Sequence, residues 1–125
     1  AKKVRSLAEQ TGERAQFVIA EHGRAIYIET VVSDPTAVMT DRRNGKVRYL
    51  HSSASGKAIL SHYSEETIDG VIERWGLPPE TEQTITERDE LIEELAQVDR
   101  DGVAFNDEES IDGLRSVGAP VTADD

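Results

Sequence analysis

One stretch limits the possible folds more than any other. Tyr49 to Leu60 reads Tyr-Leu-His-Ser-Ser-Ala-Ser-Gly-Lys-Ala-Ile-Leu. It opens like a buried strand end and closes like a helix, with Ser52, Ser53, Ala54, Ser55 and Gly56 between. Ser52 or Ser53 can cap the helix, because a hydroxyl oxygen accepts a bond from an orphan N–H of the first turn. The other first-turn N–H groups still need acceptors. With no bulky side chain over them, a small anion can come close to the backbone. The same residues suit tight packing against a neighbouring element, and both readings stay open at this point. A phosphate loop does not fit. Gly56-Lys57 would need a glycine five positions earlier and Ser or Thr next, and those positions hold His51 and Ala58.

A chain of 125 residues is one domain's worth. At this size ~70% of the unfolded surface is buried on folding. Apolar residues are only 37% of the total, so the core is lean. No run is long and apolar enough for a membrane span, and Ala-Lys-Lys-Val-Arg at the start lacks a signal peptide's apolar core. There is no cysteine, which excludes disulfides and thiolate metal sites. A cytoplasmic protein fits these features best. The net charge of −11 argues against a chain that itself grips nucleic acid, where phosphates call for basic clusters. Ten arginines against four lysines, many acids and a lean core point to a halophilic source. An ordinary acidic cytosolic domain is the plainer alternative.

Local patterns give an α+β chain. Lys2 to Gln10 is expected to be a helix with Val4, Leu7 and Ala8 on one face, stopped at Thr11-Gly12. Gln16–Ala20 and Ala25–Val32 read as strands joined by the turn Glu21-His22-Gly23-Arg24, an antiparallel hairpin. Ser33-Asp34-Pro35 breaks it; a short strand over 37–40 and a turn over 43–46 follow. Val47–Leu50 leads into the central stretch, and a helix runs from Ala54 to about His62. Ser64 caps the next helix, whose apolar face is Ile68, Val71, Ile72 and Trp75 and whose stop is Gly76-Leu77-Pro78-Pro79. After a polar loop or edge strand over 80–85, Thr86 starts a third helix with Leu91, Leu95 and Val98 inward and Gly102 as its stop. Val103–Phe105 is a short strand, 106–109 an acidic loop and Leu114–Val121 a last strand. Mixed short strands and helices with hairpins indicate a largely antiparallel sheet. The strand-like end with no partner strand after it reads as a fragment of a longer protein.

Few side chains form a chemical constellation. His22, His51 and His62 do not share metal-ligand spacing, so neither a metal nor a cofactor is expected. His51 is expected to be hydrogen-bonded and half-buried. Asp107, Glu108 and Glu109 could serve as general acids or calcium ligands, but a solvated acidic loop suits so acidic a chain better. No nucleophile elbow is present, and a serine without a placed base is not a nucleophile. No catalytic residue is therefore assigned.

At Leu50-His51-Ser52-Ser53-Ala54-Ser55-Gly56-Lys57-Ala58 the chain resembles the Leu-His-x-Ser/Thr-Ala-x-Gly-Lys-Ala signature of the isocitrate lyase regulator (IclR) family. Further matches fall in the family's order: Leu7-Ala8-Glu9-Gln10-Thr11-Gly12-Glu13, Gly76-Leu77-Pro78, Thr84-Ile85-Thr86, Asp107-Glu108-Glu109, Gly113-Leu114-Arg115 and Ala119-Pro120-Val121. Each is weak alone, but the ordered set is specific and covers nearly the whole chain. The resemblance implies a transcription regulator's C-terminal effector domain of GAF-like fold, residues 1–125. It lacks the N-terminal winged helix-turn-helix and the final strand–helix segment. It implies a small-molecule effector, often an organic acid, a homodimer or tetramer, and DNA contact only through the absent domain.

Carried over, the family's small residues at the helix start fall on Ala54 and Ser55, its acidic-loop contact on Asn106, and its later contacts on Leu114 and Ser116. Gly56 joins them from the reading of the helix start. Asn106 stands where a glyoxylate-responsive relative has aspartate, and Ser116 where it has cysteine, so effector identity does not transfer. Arg48, Lys57 and Arg115 are candidate cations by position. The expectation is an effector-sensing domain for a small organic acid or sugar acid, from a haloarchaeal regulator. The alternative is a small stand-alone α+β enzyme acting on a carboxylate.

Overall fold

Two strands fold back on one another at His22-Gly23. β1 (Ala15–Glu21) and β2 (Arg24–Val31) pair antiparallel from Ala15↔Val31 to Glu21↔Arg24, with a bulge between Phe17 and Val18. The two turn residues have φ of 55° and 80°, both left-handed. That is the type I′ geometry whose twist matches the flanking strands, and it favours glycine at Gly23. β3 (Val47–Tyr49) adds to β2, with Arg24 opposite Tyr49, giving the order β1-β2-β3. A second sheet is the antiparallel pair β4 (Ala104–Asp107) and β5 (Arg115–Gly118). The structure, a computed structural model, describes residues 2–11, 15–31, 47–110, 112–113 and 115–121. The expected break at 33–35, strand at 37–40, turn at 43–46, Gly12 stop and Leu114 lie outside the described residues.

Four helices complete the described fold: α1 (Lys2–Thr11), α2 (Ala54–Leu60), α3 (Glu65–Trp75) and α4 (Arg88–Asp101). α2 is the shortest and the most central, touching strands of both sheets and α4. Ser53, not Ser52, caps it, accepting from Gly56 N at 3.0 Å. Ser64 caps α3 by accepting from Thr67 N at 3.1 Å. Left-handed Gly102 ends α4. The main core gathers Ala25, Leu50, Leu60, Ile68, Ile85, Leu91 and Leu95, and a smaller cluster joins Ala58, Val98 and Ala104. Each fully buried leucine contributes roughly 2 kcal/mol by area. No helix among the described residues is long and apolar enough to cross a membrane.

Several expectations are corrected. α4 begins at Arg88, and Glu87 precedes it without a side-chain cap bond. Thr86 does not start the helix because the segment before it is committed to another loop. Thr84 Oγ1 accepts from Glu80 N and Thr81 N and donates to the Glu109 carbonyl. The same network makes 80–85 a folded turn rather than an edge strand. β4 extends through Asp107, into the segment read as loop. Leu7 is 52% exposed, so α1's apolar face is not fully covered, although Ala8 is buried. His51 is fully buried rather than half-buried, with Nε2 at 3.0 Å from the Pro78 carbonyl, and burial lowers its pKa.

Candidate functional site

The start of α2 is a place of close backbone approach. A Cβ on Gly56 would lie 2.3 Å from the Leu50 carbonyl oxygen and 2.6 Å from Leu50 Cα. The chain entering from β3 therefore crosses directly over the helix, which only glycine permits. A Cβ on Gly118 would lie 2.8 Å from Ala54 C and 2.9 Å from Ser55 N. β5 thus rests on the first residues of α2 with no side chain between them. Ala54 and Gly56 are buried, and Ser55 is half-buried.

β4 and β5 bring Asn106 and Ser116 opposite one another. Asn106 is 3% exposed and Ser116 is exposed. The asparagine side chain is fixed at both ends. Its Oδ1 accepts from Glu109 N at 2.9 Å, and its Nδ2 lies 3.0 Å from Ser110 Oγ. The structure therefore gathers Ala54, Ser55, Gly56, Asn106 and Ser116 around the contact of α2 with the β4–β5 sheet. Leu114 lies outside the described residues.

A buried ionic cluster supports this arrangement. Lys57, next to Gly56, is 0% exposed, and its Nζ lies 2.9 and 3.0 Å from the two carboxylate oxygens of Glu109. It also bonds the Glu94 carboxylate on α4. Glu109 is 7% exposed and further accepts from Asp107 N at 3.1 Å. Burial raises the Glu109 pKa, while Lys57 and the Asp107 N–H act to lower it. One ammonium thus joins α2, α4 and the segment after β4.

This corrects the solvated reading of the acidic loop. Only Asp107 and Glu108 behave that way, ion-paired with exposed Arg115 at 2.7 and 3.2 Å. The pairing raises the Arg115 pKa. Lys57 and Arg115 are therefore already held by carboxylates, and Arg48 lies 3.8 Å from Glu80. No group of three metal-ligating side chains converges among the described residues. The sequence reading missed the Lys57–Glu109–Glu94 cluster. Its signal was a lysine between Gly56 and Ala58, in a helix too short and apolar to offer a solvated face.

Comparison with known proteins settles the family. Residues 1–125 match the family model for the bacterial transcriptional regulator IclR C-terminal domain. The chain is 36% identical over 122 residues to the probable HTH-type transcriptional regulator ArcR of Halobacterium salinarum, covering 95% of this chain and 46% of that protein. The crystal structure of Thermotoga maritima IclR superposes with a TM-score of 0.88 at 29% identity, covering 96% of this chain and 48% of that one. An IclR homologue complexed with 4-hydroxybenzoate, from Microbacterium hydrocarbonoxydans, gives 0.84 at 23% identity, covering 98% and 51%, and shares the fold. The chain spans about half the length of the curated relatives it matches. Those relatives are transcriptional regulators, and the alternative of a carboxylate-processing enzyme gives way to them. The chain belongs to the IclR C-terminal family of transcriptional regulators.

Proposed function

We propose that this chain is the effector-sensing domain of a DNA-binding regulator, that its effector is a small organic acid or sugar acid, and that the effector contacts Ala54, Ser55, Gly56, Asn106, Leu114 and Ser116. The observation that carries this reading is the convergence of the α2 start with the Asn106–Ser116 pair, held together by the close approach of Gly118. Gly56 N–H is taken by Ser53 Oγ, so within the first turn it is the Ala54 and Ser55 N–H groups that suit a carboxylate, while the Ser116 hydroxyl and the remaining donor of Asn106 suit a hydroxylated far end. Lys57 is fully engaged inside the fold, so recognition here relies on N–H and neutral groups rather than on that cation. The relative that holds 4-hydroxybenzoate supports a hydroxylated acid as the ligand class for this fold.

The mechanism is linkage. An acid with different affinity in two domain arrangements shifts the DNA-binding equilibrium of the full-length protein. DNA contact occurs through an N-terminal domain outside this chain, and the intact regulator acts in the cytoplasm as a dimer or tetramer on a near-palindromic site. Residues 1–125 alone should give no sequence-specific gel shift. A salt-sensitive shift by this fragment would remove that part of the reading.

Ser55→Glu tests the site. It places a carboxylate where the effector's would lie, while a first-turn glutamate costs a helix little. Calorimetry on full-length wild type and Ser55→Glu, with short hydroxy acids and 4-hydroxybenzoate at high salt, should show binding lost in the variant. An acid bound equally well by a normally folded variant places the site elsewhere. No acid bound by the wild type defeats the organic-acid class.

A further inference from the structure

The aromatic edge of the three-stranded sheet carries an arrangement that the effector site does not use. Arg24, the first residue of β2, lies over two rings, its Cζ 4.8 Å from the Trp75 centroid and 5.3 Å from the Tyr49 centroid. Arg74 approaches the same tryptophan, its Cζ at 5.2 Å. Such contacts hold a guanidinium in place without using its N–H groups. Arg24 Nε is buried and has no hydrogen-bond partner, the one such side-chain atom among the described residues.

The cations around it are treated differently. Arg88 and Arg115 sit on carboxylates at 2.7 Å, and Arg48 lies near Glu80. Arg24 and Arg74 have no ion-pair partner among the described residues. Glu21 is opposite Arg24 in the hairpin register, yet its carboxylate lies 3.7 Å from His22 Nδ1. In so acidic a chain, two adjacent arginines without a carboxylate among the described residues are conspicuous. A desolvated N–H without an acceptor is costly, and native structures normally supply one.

We propose that Arg24 and Arg74, framed by Trp75 and Tyr49, form a carboxylate-binding site separate from the α2–β4–β5 site. A carboxylate oxygen is the acceptor that Arg24 Nε lacks, and the second oxygen meets the same guanidinium in the side-on fork that arginine offers to carboxylates. Arg74 adds a second positive charge at the far ring contact. Trp75 is pinned, with Nε1 donating to the His22 carbonyl at 2.7 Å and Gly23 packed so closely that a Cβ there would lie 2.8 Å from Nε1. In this proposal Tyr49, the ring on Arg24 that has no side-chain hydrogen bond among the described residues, shifts as an oxygen reaches Nε. The carboxylate belongs either to a free small acid or to an Asp or Glu of a second copy of this chain.

Trp75 is the only tryptophan of this chain and reports on the site directly. The full-length regulator is titrated with sodium acetate and sodium succinate at constant ionic strength. Emission is read in wild type, Arg24→Gln and Ser55→Glu, with Trp75→Phe giving the background from any other tryptophan. The expected result is a saturable change in wild type, retained in Ser55→Glu and weakened at least about tenfold in Arg24→Gln, as loss of a charge-assisted hydrogen bond implies. A change that appears with rising protein concentration and no added acid, and is lost in Arg24→Gln, assigns the carboxylate to a second copy. No change in either series, or equal responses in wild type and Arg24→Gln, overturns the proposal. If Arg24→Gln fails to fold by circular dichroism, exposed Arg74→Gln takes its place, and an affinity equal to wild type overturns the proposal in the same way.

Discussion

Replacing Lys57 by methionine should cost this domain more than almost any other single change. Methionine fills a similar volume, so packing is largely kept and the perturbation is electrostatic. The two carboxylates fare differently. Glu94 keeps 39% side-chain exposure and recovers water. Glu109 is 7% exposed and stays buried with no cation beside it. Removing one partner of a buried pair costs about 3–5 kcal/mol, a large share of the 5–15 kcal/mol that holds a typical domain together. Adding Glu109→Leu removes the stranded charge, and replacing a buried pair by apolar residues is often neutral. The double variant should therefore be more stable than Lys57→Met alone, with a coupling of about 2 kcal/mol or more.

The pH dependence has a definite sign. Burial already raises the Glu109 pKa, and losing Lys57 removes an opposing influence. A raised folded pKa gives stability that is present below the unfolded value and lost as pH rises through the folded one. The Lys57→Met deficit should thus be largest at neutral pH and shrink on acidification as Glu109 takes up a proton. Urea denaturation of the four members of the cycle, at fixed high KCl and at two pH values, measures all of this. A cost below about 1 kcal/mol, additive effects in the double variant, or a deficit that grows toward acid would refute the reasoning.

Three further outcomes follow from particular contacts. Gly56→Ala should destabilise by about 1–3 kcal/mol or more, since its Cβ would meet backbone that no rotamer change can move, whereas Gly70→Ala, with nothing within 4 Å, should stabilise α3 by roughly 0.5–1 kcal/mol; thermal melts of both separate the cases. His51 has a folded pKa lowered by burial, so its contribution is present above about pH 6.5 and lost as pH falls; His51→Gln should flatten the stability profile between about pH 7 and 5, and an unchanged slope would count against it. With a net charge of −11, the melting temperature should rise from ~0.1 M to ~2 M KCl as screening shortens toward ~3 Å, and an unchanged value would remove the halophilic reading.

What could be read from the chain divides along a physical line. α3 and α4 were legible because their apolar residues recur at helical spacing, and Ile68, Leu91, Leu95 and Val98 are indeed buried. The hairpin was legible because His22-Gly23 supplies two left-handed residues between alternating strands. Capping chemistry located the α2 and α3 starts, and the choice of Ser53 over Ser52 depended on which hydroxyl faces Gly56 N. All of these are decided within a few residues. The errors arose where distant segments compete for one group. Thr84 reads as a loop threonine, but its hydroxyl serves Glu80, Thr81 and Glu109 together, which displaced the expected start of α4.

The same line runs through the candidate sites. The small residues of the α2 start announce close approach, and they do not say what approaches. Only the fold shows Leu50 and Gly118 in that place. Lys57 and Glu109 are 52 positions apart, and each alone resembles an ordinary surface charge. Their burial is mutual, since neither could leave water without the other. Arg24 is the opposite case. Its neighbours Tyr49 and Trp75 also come from other parts of the sequence, but they supply rings and no acceptor. A buried charge that has found its partner explains the architecture around it, as Lys57 explains the junction of α2, α4 and β4. A buried N–H with no acceptor among the described residues, as at Arg24, marks the place where the proposed carboxylate would bind.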